Sequence, residues 1–276
     1  MQNVSVAYIR MKKVSVNELL DADDELAVEE PLEINVLYDS KGMPVQKCIS
    51  VTMRTPGNDE ELGVGFLFAE GIIQKRDEVS GVSAIPFADN KVLITLSKNK
   101  QPLLQNAERN FYTTSSCGVC GKSGIDAIRT ASLYKNDADE ICLQASLFYR
   151  LDDVLRKQQA VFESTGGLHA SALFDLDGNF MMLREDVGRH NALDKVIGAA
   201  FLNDQLPLSN TILLLSGRAS FELVQKAAMA GIKIIAAVGA PSSLAVQMAE
   251  ETGITLIGFL RNQRFNIYSG GHRIRL

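Results

Sequence analysis

Residues 211–260, TILLLSGRASFELVQKAAMAGIKIIAAVGAPSSLAVQMAEETGITLIGFL, decide the fold class of this chain. Three apolar runs in it alternate with two amphipathic segments; the runs are 211–215, 232–238 and 254–260, and the amphipathic segments are 221–230 and 243–252. Alternation of this kind is typical of neighbouring parallel strands in a layered α/β domain. The stretch therefore predicts three strands separated by two helices.

The segment before this stretch extends the pattern toward the N-terminus. It predicts a helix at 147–160, a hairpin of strands 169–175 and 180–183, and a helix at 191–201. We therefore assign residues 136–276 to a larger layered α/β domain.

The first hundred residues predict a smaller unit. Alternating strands at 32–38 and 45–53 flank a polar turn, and a further strand covers 92–96. Asn58, followed by three acidic residues, predicts a capped helix. We assign an N-terminal α+β domain to residues 1–135, including the two-cysteine loop described below and the helix after it, so the whole chain is α+β.

The composition is typical of one class of protein and argues against several others. Of the 276 residues, 46% are hydrophobic and 22% are charged, as in ordinary globular proteins. No run approaches the ~18 apolar residues of a membrane span, and no apolar signal segment follows the basic residues near the N-terminus. Four cysteines do not form a disulfide framework in a chain of this length. We expect a cytoplasmic protein with reduced thiols.

Charge is unevenly distributed along the chain. The net charge of −5 argues against a general nucleic-acid binder. Residues 17–33 carry eight acidic side chains and no basic one, whereas residues 261–276 carry four arginines and no acidic one. The acidic segment predicts a solvated face or loop, with a docking surface as the alternative, and the arginine-rich tail predicts a local anion site.

Two closely spaced thiols, Cys117 and Cys120, are the most informative feature for chemistry. Ser123 and Asp126 predict a helix start just after them, so a positive helix end and Lys122 favour the thiolate forms. The surrounding glycines predict a mobile loop. The spacing fits persulfide transfer, dithiol–disulfide exchange or half of a zinc site, and no second ligand pair is spaced to complete the zinc site.

Glycine, serine and arginine recur where the predicted strands of the larger domain end. In open α/β sheets, ligands bind beyond the carboxyl ends of strands, where helix N-termini offer free N–H groups. Together these corners predict a cradle for a phosphorylated, nucleotide-like ligand, although each one alone also fits a structural role in turns and caps. No dinucleotide-binding or P-loop glycine motif is present. The candidate residues at these corners are His190, Gly217, Arg218, Ser242, Arg261 and Arg264.

Two histidines lie near these corners. His169 begins a predicted strand, where a lone histidine is more often structural or ligand-contacting than catalytic. His190 opens a helix close to Asp186 and Asp194 in the sequence, so these carboxylates could tune its protonation.

Several long motifs in the same order resemble the FdhD/NarQ family, the formate dehydrogenase accessory sulfurtransferases. The resemblance covers nearly the whole chain. The motifs are Ser116-Cys117-Gly118-Val119-Cys120-Gly121-Lys122, Thr165-Gly166-Gly167-Leu168-His169, Asp186-Val187-Gly188-Arg189-His190-Asn191-Ala192, Ser216-Gly217-Arg218, Gly239-Ala240-Pro241-Ser242-Ser243 and the tail from Phe259 to Tyr268.

The resemblance implies a sulfur relay. A cysteine desulfurase would hand persulfide sulfur to Cys117, with Cys120 assisting. The protein would pass the sulfur to the molybdenum of Mo-bis(molybdopterin guanine dinucleotide) before that cofactor enters formate dehydrogenase. The cofactor, bound as a substrate, would contact Phe259-Leu260-Arg261-Asn262-Gln263-Arg264. We expect no permanently bound cofactor or metal, no nucleic-acid or membrane partner, and a homodimer.

The resemblance also implies that the larger domain is similar to cytidine deaminases in architecture. A zinc deaminase needs His-x-Glu at one helix start and Pro-Cys-x-x-Cys at the next. Here His190-Asn191-Ala192 lacks the glutamate, and the next corner, residues 216–220, has no cysteine. We therefore do not expect deamination. Two other functions stay open: a cofactor-binding chaperone that moves no sulfur, and a dithiol oxidoreductase that needs both cysteines equally.

Overall fold

The protein is described from a computed structural model, which covers residues 5–84, 90–104, 134 and 140–276. Within these residues the strands are β1 (Val6–Ser15), β2 (Glu18–Ala27), β3 (Glu30–Ser40), β4 (Met43–Arg54), β5 (Val79–Ala84), β6 (Lys91–Leu96), β7 (Leu143–Gln144), β8 (His169–Asp175), β9 (Phe180–Asp186), β10 (Thr211–Leu215), β11 (Ile234–Ala237), β12 (Thr255–Arg261), β13 (Arg264–Ser269) and β14 (Ile274–Arg275). The helices are α1 (Asp59–Ala69), α2 (Ala145–Gln158), α3 (Ala160–Thr165), α4 (Arg189–Leu202), α5 (Phe221–Met229) and α6 (Ser243–Glu251).

A six-stranded sheet forms the centre of the C-terminal half, in the order β13-β12-β11-β10-β8-β9. β10, β11 and β12 are parallel neighbours joined through α5 and α6, which confirms the predicted alternation. β8 and β13 run antiparallel to their neighbours. Because β8 is antiparallel to both β9 and β10, strand β9 points the same way as the three parallel strands.

Both faces of this sheet are buried. Leu213 and Ile235 lie in one apolar cluster with residues of α4, α5 and α6, whereas Leu214 and Ala236 lie in a second cluster with Phe148 of α2. Strands β10 and β11 are therefore buried along their whole length, without an alternation of buried and exposed residues, as expected for a sheet covered on both sides.

The N-terminal half adds a four-stranded sheet, β4-β3-β6-β5, that packs on α1. The β3–β4 hairpin and the helix after Asn58 are confirmed. The predicted cap is wrong: Asn58 adopts a left-handed conformation with φ of 58° and its side chain makes no capping hydrogen bond. Asp59, Glu60 and Glu61 in the first turn complement the helix dipole instead.

Helix α1 lies directly against α4 and joins the two halves. A Cβ atom at Gly65 would collide with the carbonyl oxygen of Asp194, and one at Gly198 with that of Glu61. One core cluster contains side chains from both halves, for example Leu62 and Val196. The division at residues 135 and 136 lies between described segments and stays a prediction, as does the similarity of the larger domain to cytidine deaminases.

The mixture of helices and two main sheets confirms the α+β class. Among the described residues, no helix is both long and apolar enough to cross a membrane.

The first hairpin, β1–β2, was not predicted. The acidic segment, expected as a solvated face or loop, forms β2 and the beginning of β3, and the side chains of β2 are mostly exposed to solvent. Its carboxylates are accommodated because β2 pairs with a basic strand; Lys12 Nζ, for example, lies 3.2 Å from Asp21 Oδ1. Most side chains on both faces of this hairpin are exposed, so it has no buried-and-exposed alternation from which a strand could be recognised.

Candidate functional site: a cradle at one edge of the central sheet

One edge of the six-stranded sheet collects all the predicted corners. The carboxyl ends of β9, β10, β11 and β12 lie there, because these four strands point the same way. His169 at the beginning of β8 pairs with Asp186 at the end of β9, so it lies at the same edge. The N-termini of α4, α5 and α6 follow the ends of β9, β10 and β11, so the first backbone N–H groups of these helices, which have no partner within the helix, lie in this region.

Backbone hydrogen bonds tie three corners into a continuous row. The N–H of Gly239 donates to the carbonyl oxygen of Gly217 at 3.0 Å, and the N–H of Phe259 donates to that of Gly239 at 3.1 Å. The N–H of Ser242 similarly donates to the carbonyl oxygen of Ala219 at 3.0 Å. The corners after β10, β11 and β12 therefore form one surface. Together with the corner after β9, this surface is here called the cradle; its four corners are residues 186–191, 216–220, 239–243 and 261–264.

Close approach requires a glycine at one position in this row and favours a glycine at a second. A Cβ atom at Gly239 would lie 2.9 Å from the backbone nitrogen of Arg218 and from the carbonyl oxygen of Gly217. A Cβ atom at Gly217 would lie 3.2 Å from His169 Nδ1. The absence of side chains leaves backbone groups close to the surface, where an anionic ligand can approach them.

A buried carboxylate organises the corner after β9. Asp186 is inaccessible to solvent and accepts hydrogen bonds from the N–H of Gly188 at 2.8 Å and from Asn191 Nδ2 at 3.0 Å. Its other oxygen lies 2.8 Å from Lys195 Nζ and accepts from the N–H of Thr55 at 3.2 Å. Four donors from the described residues thus surround the carboxylate, so Asp186 fixes the shape of this corner and connects it to the end of β4.

His190 stands at the beginning of α4 and faces α5. Its Nε2 lies 2.8 Å from Glu222 Oε2 and 3.2 Å from Ser220 Oγ. The expected partners were Asp186 and Asp194, but Asp194 instead pairs with Lys226, whose Nζ lies 2.8 Å from its Oδ1. Helices α4 and α5 are therefore joined by two polar side-chain pairs, His190–Glu222 at the edge of the cradle and Asp194–Lys226 in the core.

His169 lies at the floor of the cradle beside Gly217. Burial lowers the pKa of His169 below its ordinary value, and the nearby cationic groups of Arg189 and His190 lower it further. The neutral imidazole is therefore the favoured form at pH 7. One of its ring nitrogens can donate a hydrogen bond and the other can accept one, at the edge of the sheet where a ligand would bind.

Two arginines on the α4 and α5 side can contact an anion. Arg218 is exposed after β10. Nε of Arg189 is inaccessible, and among the described residues it has no hydrogen-bond partner. Buried polar groups without a partner are uncommon and frequently mark a place where a ligand or water binds. Arg189 was not among the predicted site residues, although its position at the first turn of α4 was a usable signal.

The predicted cofactor segment forms the β12–β13 hairpin. Asn262 and Gln263 both have positive φ angles, 52° and 56°, between the paired residues Arg261 and Arg264. Positive φ at both central positions is the conformation of a two-residue hairpin turn. The guanidinium of Arg261 lies 6.0 Å from the centre of the Phe259 ring, within the range of a cation–π contact. The hairpin presents Arg261, Asn262, Gln263 and Arg264 as exposed side chains.

Two of the predicted cofactor-binding residues, Leu260 and Ser242, have structural roles in the fold. Leu260 is 1% exposed and packs in the apolar cluster below the sheet, so its side chain points away from the cradle surface. Ser242 caps α6, because its Oγ accepts a hydrogen bond from the N–H of Ala245 at 3.2 Å. Ligand contact by either residue stays a prediction.

The two-cysteine loop, with Cys117 and Cys120, lies outside the described residues, as do Lys122 and the helix predicted after it. The other two cysteines, Cys48 and Cys142, are exposed and form no disulfide among the described residues. Burial and the carboxylate of Glu33 raise the pKa of Cys48, so this thiol is not an activated nucleophile. No group of three metal-ligating side chains occurs in the described part of the chain.

With its fold and its cradle, the chain belongs to the FdhD/NarQ family, whose model matches residues 27–275. The sulfur carrier protein FdhD of Mycobacterium tuberculosis is 47% identical to it, over 98% of this chain and 99% of that protein. The sulfur carrier protein FdhD of Streptomyces avermitilis is 48% identical, over 92% and 90%. A more distant relative of the same name, from Picrophilus torridus, is 44% identical over 91% and 92%.

A solved structure shows the same fold. It is a protein from Desulfotalea psychrophila assigned as a formate dehydrogenase accessory protein, with a TM-score of 0.74 and 24% sequence identity. The match covers 98% of this chain and 99% of that protein, so the fold is shared over its full length.

Proposed function

We propose that the protein is a sulfur carrier in the maturation of formate dehydrogenase. It would accept persulfide sulfur from a cysteine desulfurase on Cys117 and deliver it to the molybdenum of Mo-bis(molybdopterin guanine dinucleotide). Membership of a family whose curated relatives are named sulfur carrier proteins supports the transfer of sulfur. The cradle is the single structural observation that supports this choice of substrate. Four strand ends and three helix N-termini meet there, at one edge of the sheet.

The cradle has the chemistry that a guanine dinucleotide needs. Arg189, Arg218, Arg261 and Arg264 can form charge-assisted hydrogen bonds to a pyrophosphate. The unpartnered Nε of Arg189 and the close backbone approach at Gly217 and Gly239 support an anionic ligand at this edge. Exposed Asn262 and Gln263 offer amide groups that can pair with the edge of a guanine base.

The proposed carrier step conserves atoms and electrons. The Cys117 thiolate attacks the outer sulfur of the donor persulfide, the donor S–S bond breaks, and the donor cysteine leaves as a thiolate. Cys117 then carries the sulfur as a persulfide, with no net oxidation. Delivery breaks the S–S bond on Cys117 and reduces the outer sulfur to sulfide with two electrons, supplied by the metal or by two external thiols that become a disulfide, and Cys117 returns to the thiol form. Cys120 would assist by holding or relaying the sulfur.

Restoration of formate dehydrogenase activity in cells that lack the chain tests the proposal. Cys117→Ala should abolish maturation, whereas Cys48→Ala and Cys142→Ala, at the two exposed cysteines outside the motif, should mature the enzyme normally. Maturation by Cys117→Ala would favour a cofactor-binding chaperone that moves no sulfur. Equal loss in Cys117→Ala and Cys120→Ala, with a reversible disulfide and no bound sulfur, would favour a dithiol oxidoreductase.

A further inference from the structure

Two buried polar atoms near the floor of the cradle, Oγ of Ser171 and Nε of Arg189, have no hydrogen-bond partner among the described residues. Ser171 is 1% exposed, so bulk solvent does not reach its hydroxyl group either. A neighbouring polar side chain differs from them, because His190 contacts both Glu222 and Ser220. Buried polar groups are nearly always hydrogen-bonded, so two exceptions in one region indicate a ligand site.

The two unpartnered groups face the same layer, between β8 and α4. Alternate residues of a strand share a face, so Ser171 lies on the face of β8 that carries Leu173, which packs in a core cluster with α4. Residues four apart share a helix face, so Arg189 lies on the side of α4 that carries Leu193 of the same cluster. Both side chains therefore lie in the layer between β8 and α4, close to where each element begins at the cradle.

His169 is the third polar side chain of this region. It precedes Ser171 by two residues on the same face of β8. Burial lowers the pKa of His169, and the charge of Arg189 lowers it further, so this guanidinium lies close to the imidazole. A Cβ atom at Gly217 would lie 3.2 Å from Nδ1 of His169, so the glycine leaves this side of the ring uncovered by a side chain.

The charge of this region favours an anion. Arg189 forms no salt bridge with a described carboxylate, because the buried Asp186 pairs with Lys195 at 2.8 Å. A charged donor makes its strongest hydrogen bonds to an anion. Since Oγ of Ser171 and Nε of Arg189 are both shielded from solvent, the anion must be small, and a pyrophosphate cannot reach them.

We propose that Ser171, Arg189 and His169 form a binding pocket for hydrosulfide beneath the cradle. Hydrosulfide has one negative charge, lone pairs that accept hydrogen bonds and one S–H group that donates. Its sulfur accepts from the hydroxyl group of Ser171 and from Nε–H of Arg189, and its S–H donates to the neutral imidazole of His169. A halide has no donor for the imidazole and water has no charge for the guanidinium, so hydrosulfide matches all three groups.

The pocket rests on the proposed sulfur transfer, which supplies its ligand. When two external thiols reduce the persulfide anion on Cys117, the S–S bond breaks and the two thiols become a disulfide. Their two protons go to the sulfur of Cys117 and to the outer sulfur, which leaves as hydrosulfide. The pocket then holds this hydrosulfide next to the substrate in the cradle and limits its loss to solvent.

Equilibrium dialysis with radiolabelled hydrosulfide, under anaerobic conditions, tests the pocket. The parent protein is the full chain with Cys117→Ala and Cys120→Ala, so that retained label cannot be a persulfide on either residue. Ser171→Ala and Arg189→Gln should each raise the dissociation constant of hydrosulfide by about 10-fold or more, because each removes a hydrogen bond to an anion.

Two matched controls should leave this dissociation constant unchanged. Ser50→Ala removes another buried serine hydroxyl, on β4, and Arg218→Gln removes an exposed arginine from the next corner of the cradle. Circular dichroism melts identify any variant that loses its fold. No binding by the parent protein, or equal weakening by Arg218→Gln and Arg189→Gln, would overturn the proposal.

Two other anions test the size and the position of the site. Bromide, which is also small and singly charged, should displace hydrosulfide, whereas phosphate at the same concentration should not. In crystals that contain bromide, its anomalous signal should lie in contact with Oγ of Ser171 and Nε of Arg189. Equal displacement by phosphate, or a water molecule in place of bromide there, would overturn the pocket.

The pocket and the carrier step fail separately. Persulfide formation on Cys117 is measured in the unchanged chain, whereas hydrosulfide binding is measured without that thiol. Sulfur loading without hydrosulfide binding would overturn the pocket alone. Hydrosulfide binding without sulfur loading would support the pocket and overturn the carrier step.

Discussion

The carboxylate of Asp186 lies 2.8 Å from Nζ of Lys195, and both side chains are buried. Lys195 also donates to the carbonyl oxygens of Thr55 at 2.9 Å and Glu185 at 3.3 Å. The pair therefore fastens the end of β4 to the corner that precedes α4. Through this contact the N-terminal half helps to shape a cradle whose other corners belong to the C-terminal half.

Breaking this pair should destabilise the protein strongly. Lys195→Met leaves the Asp186 carboxylate buried without its cation, and we expect the free energy of unfolding to fall by about 3–5 kcal/mol. Lys91→Met is the matched control, because Lys91 pairs with Glu33 at 3.1 Å but is 40% exposed. The control should lose less than about 1 kcal/mol. Urea unfolding curves measure both values, and similar losses would show that the buried pair has no special role.

The contact between α1 and α4 depends on Gly198. A methyl group there would collide with the carbonyl oxygen of Glu61, so Gly198→Ala should lower the free energy of unfolding by about 3 kcal/mol through separation of the helices. Gly81→Ala is the control, because no atom lies within 4 Å of a Cβ built at Gly81. Thermal melts compare the two variants. A Gly198→Ala protein as stable as the control would contradict the close packing of these helices.

His169 should make stability depend on pH. Burial lowers the pKa of His169 below its ordinary value of 6.5, so below pH 6.5 the unfolded chain binds a proton that the folded chain resists. Its contribution to stability is complete above pH 6.5 and is lost as the pH falls toward the folded pKa. The slope for one proton is at most about 1.4 kcal/mol per pH unit. His169→Gln should remove this slope in denaturant titrations between pH 5 and 7, and an unchanged slope would contradict the assignment.

The arginines of the β12–β13 hairpin should bind the guanine nucleotide part of the substrate. Arg261→Ala and Arg264→Ala should each raise the dissociation constant of guanosine diphosphate by about 10-fold or more, because each removes a charge-assisted hydrogen bond. Arg275→Ala, at an exposed arginine in the same basic tail, should not change it. Isothermal titration calorimetry gives the three constants, and unchanged affinity in the first two variants would remove the hairpin from the site.

Much of the fold could be predicted because its signals are local. The runs at 211–215, 232–238 and 254–260 are apolar on both faces, and they become the parallel strands β10, β11 and β12. The grouping of the corners also followed from the sequence, since parallel strands end at the same edge. The β1–β2 hairpin was not predicted because the exposure of both of its faces removes the alternation that identifies a strand.

The contacts within the cradle could not be predicted in the same way. Glu222 meets His190, and Lys195 meets Asp186, through the packing of α4 against α5 and β9, which no spacing in the sequence specifies. The adjacent charged residues Asp194 and Lys195, within the mostly apolar segment 191–201, were the signal that buried ion pairs should be expected. Closeness in the sequence suggested that Asp194 could tune the protonation of His190, whereas in the structure Asp194 pairs with Lys226.

The central claim is that Cys117 carries sulfur, and intact mass spectrometry tests it most directly. The protein is incubated with a cysteine desulfurase and cysteine, and its mass is recorded before and after a reductant. We predict a gain of one sulfur atom that the reductant removes, that maps to Cys117 and that is absent in Cys117→Ala. No gain of sulfur, in a protein that still binds guanosine diphosphate, would contradict the claim.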